Sequence, residues 1–350
     1  MARPGSLTAY AATRALLAVP MLFILLTAVF FVLRVLPGDP ILALWGGRNP
    51  PQSAIDDARR ELGLDQPPII QYFTYLKNVF TGNLGVSIGE LYRGQPVWTQ
   101  ISVRFPATVE LALGGMIVAT LVGIPLGVIA GSNRDRSMDL AVRLYGTIVF
   151  VIPIFWLGLL LQLVFGVWLQ WLPTSGRWTG TDIPCEPPTY CPIRTGMYTV
   201  DSLLEGNLTH FAEAISHLIL PSVTLGLVLS GFFAKTVRAN MLRTVASDYA
   251  EAASARGIRK RVIVYRHAFK NALVPVVTVL GLQFAILFAG AVLTEKTFSI
   301  QGIGILLLNS VISKDMTMIQ GVVVFYAVII VVISLIIDIV GATIDPRIRL

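Results

Sequence analysis

Charge is scarce in this sequence. Of its 350 residues only 13% are Asp, Glu, Lys or Arg, against 55% hydrophobic. A soluble globular chain carries about 25% charged residues, so the deficit, with a mean hydropathy of +0.72, points to a membrane. Cysteine is nearly absent: Cys185 and Cys191 are the only two, and they form no C-x-x-C metal pair. The three histidines, His210, His217 and His267, form no H-E-x-x-H or other ligand spacing. No G-x-S-x-G nucleophile elbow occurs, and no G-x-x-x-x-G-K-[ST] phosphate loop. The chain is therefore expected to have no catalytic residue, no metal site and no ATP site of its own. Its net charge of +7 would suit nucleic acid, but the basic residues sit in short loops between apolar runs. That placement marks the cytoplasmic side of a membrane protein, so no nucleic-acid partner is expected.

What the sequence has in quantity is long apolar runs. Six are long enough to cross about 30 Å of hydrocarbon as helices: approximately 15–36, 109–130, 143–169, 215–233, 272–293 and 321–343. They are continuously apolar, whereas barrel strands would be about 10 residues of alternating character. The first run passes 20 residues without an A-x-A-like site, so it reads as a span rather than a cleaved signal peptide. The fold class is an all-α polytopic membrane protein with six transmembrane helices. With the N-terminus inside, segments 1–14, 131–143, 234–271 and 344–350 hold 16 Lys and Arg and 5 Asp and Glu. The much longer outer segments 37–107, 172–214 and 294–320 hold 10 and 13. Basic density in short loops sets topology, and it places both termini in the cytoplasm.

This divides the chain into a cytoplasmic N-terminus and first helix (1–36), an extracytoplasmic segment (37–107), a five-helix transmembrane core (108–343) and a cytoplasmic tail (344–350). Residues 50–95 carry amphipathic helical patterns split by Pro67-Pro68, Gly82 and Gly85, expected to form a small ordered cap on the outer surface. Residues 172–214, with net charge −3, are rich in Pro, Gly and Thr and read as an irregular outer loop. On that oxidising side Cys185 and Cys191 can close a short-loop disulfide or stand as free thiols.

The inner segment 234–271 is the most informative. Asp248 can cap a helix whose third residue is Glu251, a D-x-x-E form of the capping box. Ala250, Ala252, Ala253 and Ala255 favour helix with almost no side chain, and Gly257 stands where a left-handed glycine would end it. The result is a slim helix of about two turns, suited to a groove on another protein; a loop basic only for topology would not need it.

Glu251-Ala252-Ala253, Gly257 and Leu273-Val274-Pro275 resemble the EAA–Gly–(I/L)xP signature of binding-protein-dependent ABC importer permeases, with Leu-Val-Pro departing slightly at the end. Other segments are similar to the dipeptide/oligopeptide branch: Leu36-Pro37-Gly38-Asp39-Pro40, Leu62 to Pro67, Gly82-Asn83-Leu84-Gly85, Arg266-His267-Ala268, Asn271-Ala272-Leu273, Leu293 to Phe298 with Gly302 and Gly304, and Asp345 to Arg349. The resemblance covers nearly the whole chain except the 172–214 loop. It implies a type I ABC importer permease fold with a cytoplasmic coupling helix. The implied partners are a similar but distinct permease subunit, two cytoplasmic ATPases that hold ATP and Mg, and an external substrate-binding protein. The implied ATPase-coupling residues are Asp248, Tyr249, Glu251, Ala252, Ala253, Arg256 and Gly257. The implied cargo is a di- or oligopeptide, with nickel chelates, glutathione and oligosaccharides as alternatives within the same branch.

Polar residues inside spans are functional candidates because lipid disfavours them. Gln283, Gln162 and Asp338 are candidates for the translocation path. The two glutamines would equally hydrogen-bond between helices, and Asp338 would pair with a loop arginine. Arg34 and Glu110 lie near span ends and read equally well as residues snorkelling to the interface. Pro125, Pro153 and Pro275 are expected bends. Gly123, Gly127 and Gly131 form a small-residue ridge for close packing, within the chain or between subunits. A secondary transporter is the rival reading, but it would need an intramembrane ion or proton site among very few charges.

Overall fold

The computed structural model describes residues 7–35, 51–61, 63–180, 183–184 and 194–344. Among these the chain is helical throughout, its one extended pairing an isolated bridge between Val86 and Pro96. Helix α1 is Leu7–Val35. Two short helices follow, α2 (Gln52–Glu61) and α3 (Pro68–Phe80), where the 50–95 segment was expected to be amphipathic. Then come α4 (Val97–Ser132) and α5 (Ser137–Val151). Helix α6 (Ile154–Leu161) continues as a π-helical stretch, Gln162–Trp168. Helix α7 is Tyr198–Glu205 and α8 is Leu208–Val245. Helix α9 is Asp248–Ala255. A short α10 (Lys260–Val262) runs through a π-helical Ile263–Ala268 into α11 (Phe269–Gly290). Helices α12 (Val292–Thr297), α13 (Ile303–Ile312) and α14 (Met316–Ile344) complete the chain.

Four stretches are long and apolar enough to cross a membrane: Leu7–Leu33, Val97–Ser132, Leu208–Val245 and Met316–Thr343. Two bent pairs bring the number to six if each is one span: Ser137–Val151 with Ile154–Trp168, and Lys260–Leu273 with Pro275–Phe288. The third expected span is thus not one helix. Its axis turns by 100° at Ile152, whose backbone is extended (φ −66°, ψ 124°), and Pro153 opens the next helix. A residue before proline is driven out of the helical region by the ring, and proline gives the next turn no N–H. Pro275 accompanies a 45° bend, while Pro125 stays inside an uninterrupted α4.

The expectation of an irregular 172–214 loop also needs correction. Residues 198–205 are helical and end on Gly206 at φ +76°, and α8 begins at Leu208. The Asn207 side chain starts α8 by accepting from the Thr209 and His210 N–H groups, the usual role of an N-cap asparagine. A run of 19 apolar residues is therefore only the middle of a 38-residue helix.

The core is the seam between α4 and α8. Each exceeds 35 residues, about 54 Å or more at 1.5 Å per residue, so both outreach the hydrocarbon. A β-carbon at Gly123 would lie 2.7 Å from the Ser230 carbonyl oxygen, and one at Gly127 2.7 Å from that of Ala234. Gly226 in turn faces Val118 and the Gly115 carbonyl. The partners advance together along both chains, so the helices run parallel. The glycine ridge is therefore an intrachain packing surface, which settles the alternative the sequence left open. Around one end gathers a core of Val97, Ile101, Leu111, Leu225, Phe298, Ile303, Leu306 and Met318. Around the other gather Val128, Val237, Met241, Val264, Ala268, Ala272 and Val276.

Candidate functional site

The segment 248–257, expected to couple to an ATPase, lies at the C-terminal ends of α4 and α8. Two residues, Ala246 and Ser247, separate α8 from α9. The expected capping box is not formed. Ser247 occupies the cap position and Asp248 is the first helical residue. The Ser247 hydroxyl donates back to the Thr244 carbonyl, 2.6 Å away, so it closes α8 rather than opening α9. Asp248 and Glu251 both stand in the first turn, where negative charge complements the helix dipole.

The other end is as expected. Gly257 sits at φ +73°. Its N–H donates to the Ser254 carbonyl (2.9 Å) and the Ile258 N–H to that of Ala253 (3.2 Å), the paired bonds of a Schellman ending. No atom lies within 4 Å of a β-carbon built at Gly257, so backbone conformation alone selects glycine there.

Only Ala250 of α9 is buried; Asp248, Tyr249, Glu251, Ala252, Arg256 and Gly257 are exposed and Ala253 is half-buried. The helix rests on one alanine and presents the rest outward. The chain beyond it is firmly seated, because Val264 and Ala268 of the π-helical stretch pack with Val128, Val237 and Met241 and Ile263 is buried beside them in sequence. A displacement of α9 therefore has two covalent outlets, back into α8 and forward through α10 into α11.

A second feature of this end carried no sequence signal. Asp139, fully buried in the first turn of α5, holds Arg238 of α8 in a two-pronged ion pair, with Nη2 to Oδ2 at 2.8 Å. The same carboxylate accepts from the Asp135 N–H at 3.0 Å. This ties the 133–136 turn to α8 about two turns before that helix ends at Val245.

At the opposite end Glu110 overturns its reading as an interface residue. It is buried, and its carboxylate accepts from the Arg177 guanidinium and from the Thr199 N–H (2.8 Å) and hydroxyl (2.6 Å). Arg177 also covers the Tyr198 ring at 4.0 Å. Glu110, Arg177, Tyr198 and His217 line a cavity of about 10 Å³, room for one water. Arg177 and the first turn of α7 are thereby pinned to α4.

The translocation-path candidates are not brought together. The Gln162 amide donates to the carbonyls of Thr174 (2.6 Å) and Thr297 (3.0 Å), the bridging role the sequence offered as its alternative. Asp338 pairs with Arg14 at 3.2 Å. That arginine lies in helix α1, not in a loop. Gln283 is half-buried in α11. Cys185 and Cys191 lie outside the described residues, as do Leu36 to Pro40 and the tail from Asp345. Nothing is described of the Arg34 side chain.

Two of the recognised motifs acquire a structural reason. Asp315 caps α14 by accepting from the Met318 N–H (3.0 Å) and also receives the Ser87 hydroxyl, so the turn after Gly82-Asn83-Leu84-Gly85 is clamped to the last span. Glu295, in α12, is fully buried against the first turn of α13. It accepts from Thr108 Oγ1 (2.7 Å) and the Ile305 N–H (2.9 Å). A β-carbon at Gly304 would lie 2.9 Å from its Oε2, and at Gly302 it would overlap the carboxylate, which explains both glycines.

Comparison with known proteins agrees with this architecture. Residues 123–350 match the family model described as binding-protein-dependent transport system inner membrane component. Residues 7–112 match the N-terminal model of binding-protein-dependent transport system membrane components. The chain is 40% identical over 319 residues to the "Probable D,D-dipeptide transport system permease protein" of Escherichia coli strain K12, covering 91% of each chain. It is 36% identical over 341 residues to a dipeptide transport system permease protein of Alkalihalophilus pseudofirmus, covering 97% of this chain and 99% of the other. A di/tripeptide transport system permease protein of Pseudomonas aeruginosa is 36% identical over 342 residues, with 97% and 98% covered.

Proposed function

The chain belongs to the family of binding-protein-dependent transport system inner membrane components, and on that premise we propose that it forms half of the translocation pathway of an ATP-driven importer of di- and oligopeptides. It is a multi-pass permease of a prokaryotic plasma membrane. Six spans with both termini cytoplasmic fit the basic-residue count, and α9 then faces the cytoplasm. A second, similar permease completes the pathway. Two ATPases below bind ATP and Mg, and a binding protein delivers cargo from outside. The names of the relatives favour peptide cargo over nickel chelates, glutathione or oligosaccharides.

The observation that carries this reading is the form of α9: two turns, closed by a left-handed glycine, anchored by Ala250 alone and otherwise presented outward. Such a helix fits a groove on an ATPase. Closure of the ATPase pair would push it, and the push would reach α8 directly and α11 through the seated 260–268 segment. The spans would then rock as rigid bodies between inward-open and outward-open states.

The test is to purify the tagged chain with its bound subunits and measure substrate-stimulated ATP hydrolysis and uptake. Gly257→Pro demands φ near −65° where the chain holds +73°, so it is expected to abolish uptake and release or uncouple the ATPases. Glu251→Ala should weaken coupling while the chain remains in the membrane. A crosslinker at Ala253→Cys should capture an ATPase. Solute movement by the chain without ATP, with no ATPase captured, would instead establish a secondary transporter.

A further inference from the structure

Helix α3 is apolar over more of its circumference than its protein contacts require. At about 100° per residue, with Ile69 as zero, Tyr75, Val79, Tyr72 and Leu76 occupy an arc from about 240° to 340°. That arc faces the protein: Tyr75 and Leu76 are buried with Leu26 and Phe30 of α1 and Val324 of α14, and Tyr72 and Val79 pack beside them. A second apolar arc, from about 0° to 100°, holds Ile69, Phe80, Phe73 and Ile70. These are 62%, 66%, 62% and 47% exposed. Thr74, Asn78 and Gln71 form a polar strip at about 140° to 200°. A helix resting on a protein surface in water needs only the first apolar arc.

The level of α3 along α1 identifies what covers the second. The Tyr72 hydroxyl bonds that of Thr27 at 2.6 Å, and the Tyr75 hydroxyl donates to the Leu26 carbonyl at 3.2 Å. Those partners lie eight and nine residues before the end of α1 at Val35, about 12–14 Å along its axis and inside the apolar stretch Leu7–Leu33. On that stretch Phe23, Ile24 and Phe31 are themselves exposed. The Tyr72 ring meets those of Phe23 (6.4 Å) and Phe31 (6.5 Å), so the exposed surfaces of α1 and α3 are one continuous apolar sheet.

We propose that α3 lies in the membrane interface as a lipid-facing helix, with Ile69, Phe73 and Phe80 among the acyl chains, the polar strip toward water, and Tyr72 and Tyr75 riveting it to the first span. Apolar and polar arcs side by side along one helix are the mark of an interfacial helix, and aromatic residues concentrate at that depth. Lys77, between Phe73 and Ile70 in projection, reaches lipid headgroups with its ammonium while its stem stays in the apolar layer. The identification of the leaflet as the outer one follows from the orientation proposed above; the lipid contact does not depend on it.

Spin-label accessibility tests this on the full chain, purified with the subunits that stay bound and reconstituted in lipid nanodiscs. In a Cys185→Ser, Cys191→Ser background, single labels go at Ile69→Cys, Phe73→Cys and Thr74→Cys, with Ile24→Cys on α1 as the lipid reference. Phe73 and Ile69 are more than half exposed, so labels there leave the Tyr72 and Tyr75 bonds in place. Relaxation at positions 69 and 73 should be dominated by oxygen, which dissolves in lipid, and should match position 24. At position 74 the ratio should invert in favour of a water-soluble nickel chelate. Nickel dominating at 73 would place the face in water, and protection from both reagents would place it under another subunit. Either result overturns the proposal.

Discussion

Glu295 shows how much one side chain organises at the end of the molecule opposite α9. Its carboxylate is fully buried, yet it meets Thr108 of α4 and the first turn of α13. Burial pushes its carboxyl up to about 7, while the bonds from Thr108, Ile305 and Gly304 draw it back down. With a folded pKa above the unfolded one, the native state binds the extra proton between about 4.5 and 7. Stability from this group is thus complete below that window and is lost as pH rises through it. Glu295→Ala leaves Thr108 and two backbone N–H groups buried without an acceptor. The expected cost is on the order of 3 kcal/mol at one to three per unmet group, seen as a lower thermal midpoint in detergent. Glu295→Gln keeps a carbonyl acceptor, should lose less, and should flatten the pH dependence between 5 and 7. The sequence exposed Glu295 only as part of a motif and misread Glu110, because nothing local says that Arg177, 67 residues away, will meet it. Gly257 was legible because a helix ending is a local event.

Among the elements, the α4–α8 seam bears the most strain if altered. A β-carbon at Gly127 would come within 2.6 Å of Val237 Cβ and 2.7 Å of a carbonyl oxygen, and backbone cannot rotate out of the way. Gly127→Ala should cost about 2 kcal/mol, overpacking outweighing the gain in helix propensity. Gly146→Ala is the control. Its nearest neighbour, the Gly231 carbonyl oxygen, would be 3.4 Å away, so propensity decides and stability should hold or rise by up to about 1 kcal/mol. Thermal stability of the two variants in detergent compares them directly. The four-residue spacing of Gly123, Gly127 and Gly131 announced close packing; only contact with Ser230 and Ala234 identified the partner. The break at Pro153 shows the converse. Hydropathy over 143–169 is blind to direction, so an apolar run that turns by 100° reads as a straight span.

At the level of the whole molecule, parallel α4 and α8 place their C-terminal ends on one face, where the 133–136 turn, α9 and the 260–268 segment meet. The opposite face carries α7, the Glu110–Arg177 pair and the Asp315 clamp. Two of the four segments assigned inside by charge counting, 131–143 and 234–271, therefore fall on the same face, as a consistent topology requires. In a cysteine-free background, Ser254→Cys should resist a membrane-impermeant maleimide in intact spheroplasts, and Thr209→Cys should react. Labelling in the reverse order would invert the proposed orientation. Asp139 and Arg238 bind the face that carries α9 across 99 residues of chain, beyond the reach of any sequence pattern.

By itself the sequence determined that this protein is helical, membrane-embedded, without the motifs for catalysis, and that it carries a short alanine-rich helix with a glycine stop. These follow from composition, hydropathy and hydrogen bonding within a few residues, which neighbours in the chain fix among themselves. Only the tertiary structure decided that the glycine ridge packs inside one chain, that Glu110 is buried on Arg177, that Gln162 holds backbone carbonyls, and that α3 keeps a second apolar face uncovered by the rest of this chain. Each of these depends on which distant surfaces meet, and burial and pairing between distant residues have no local periodicity to read.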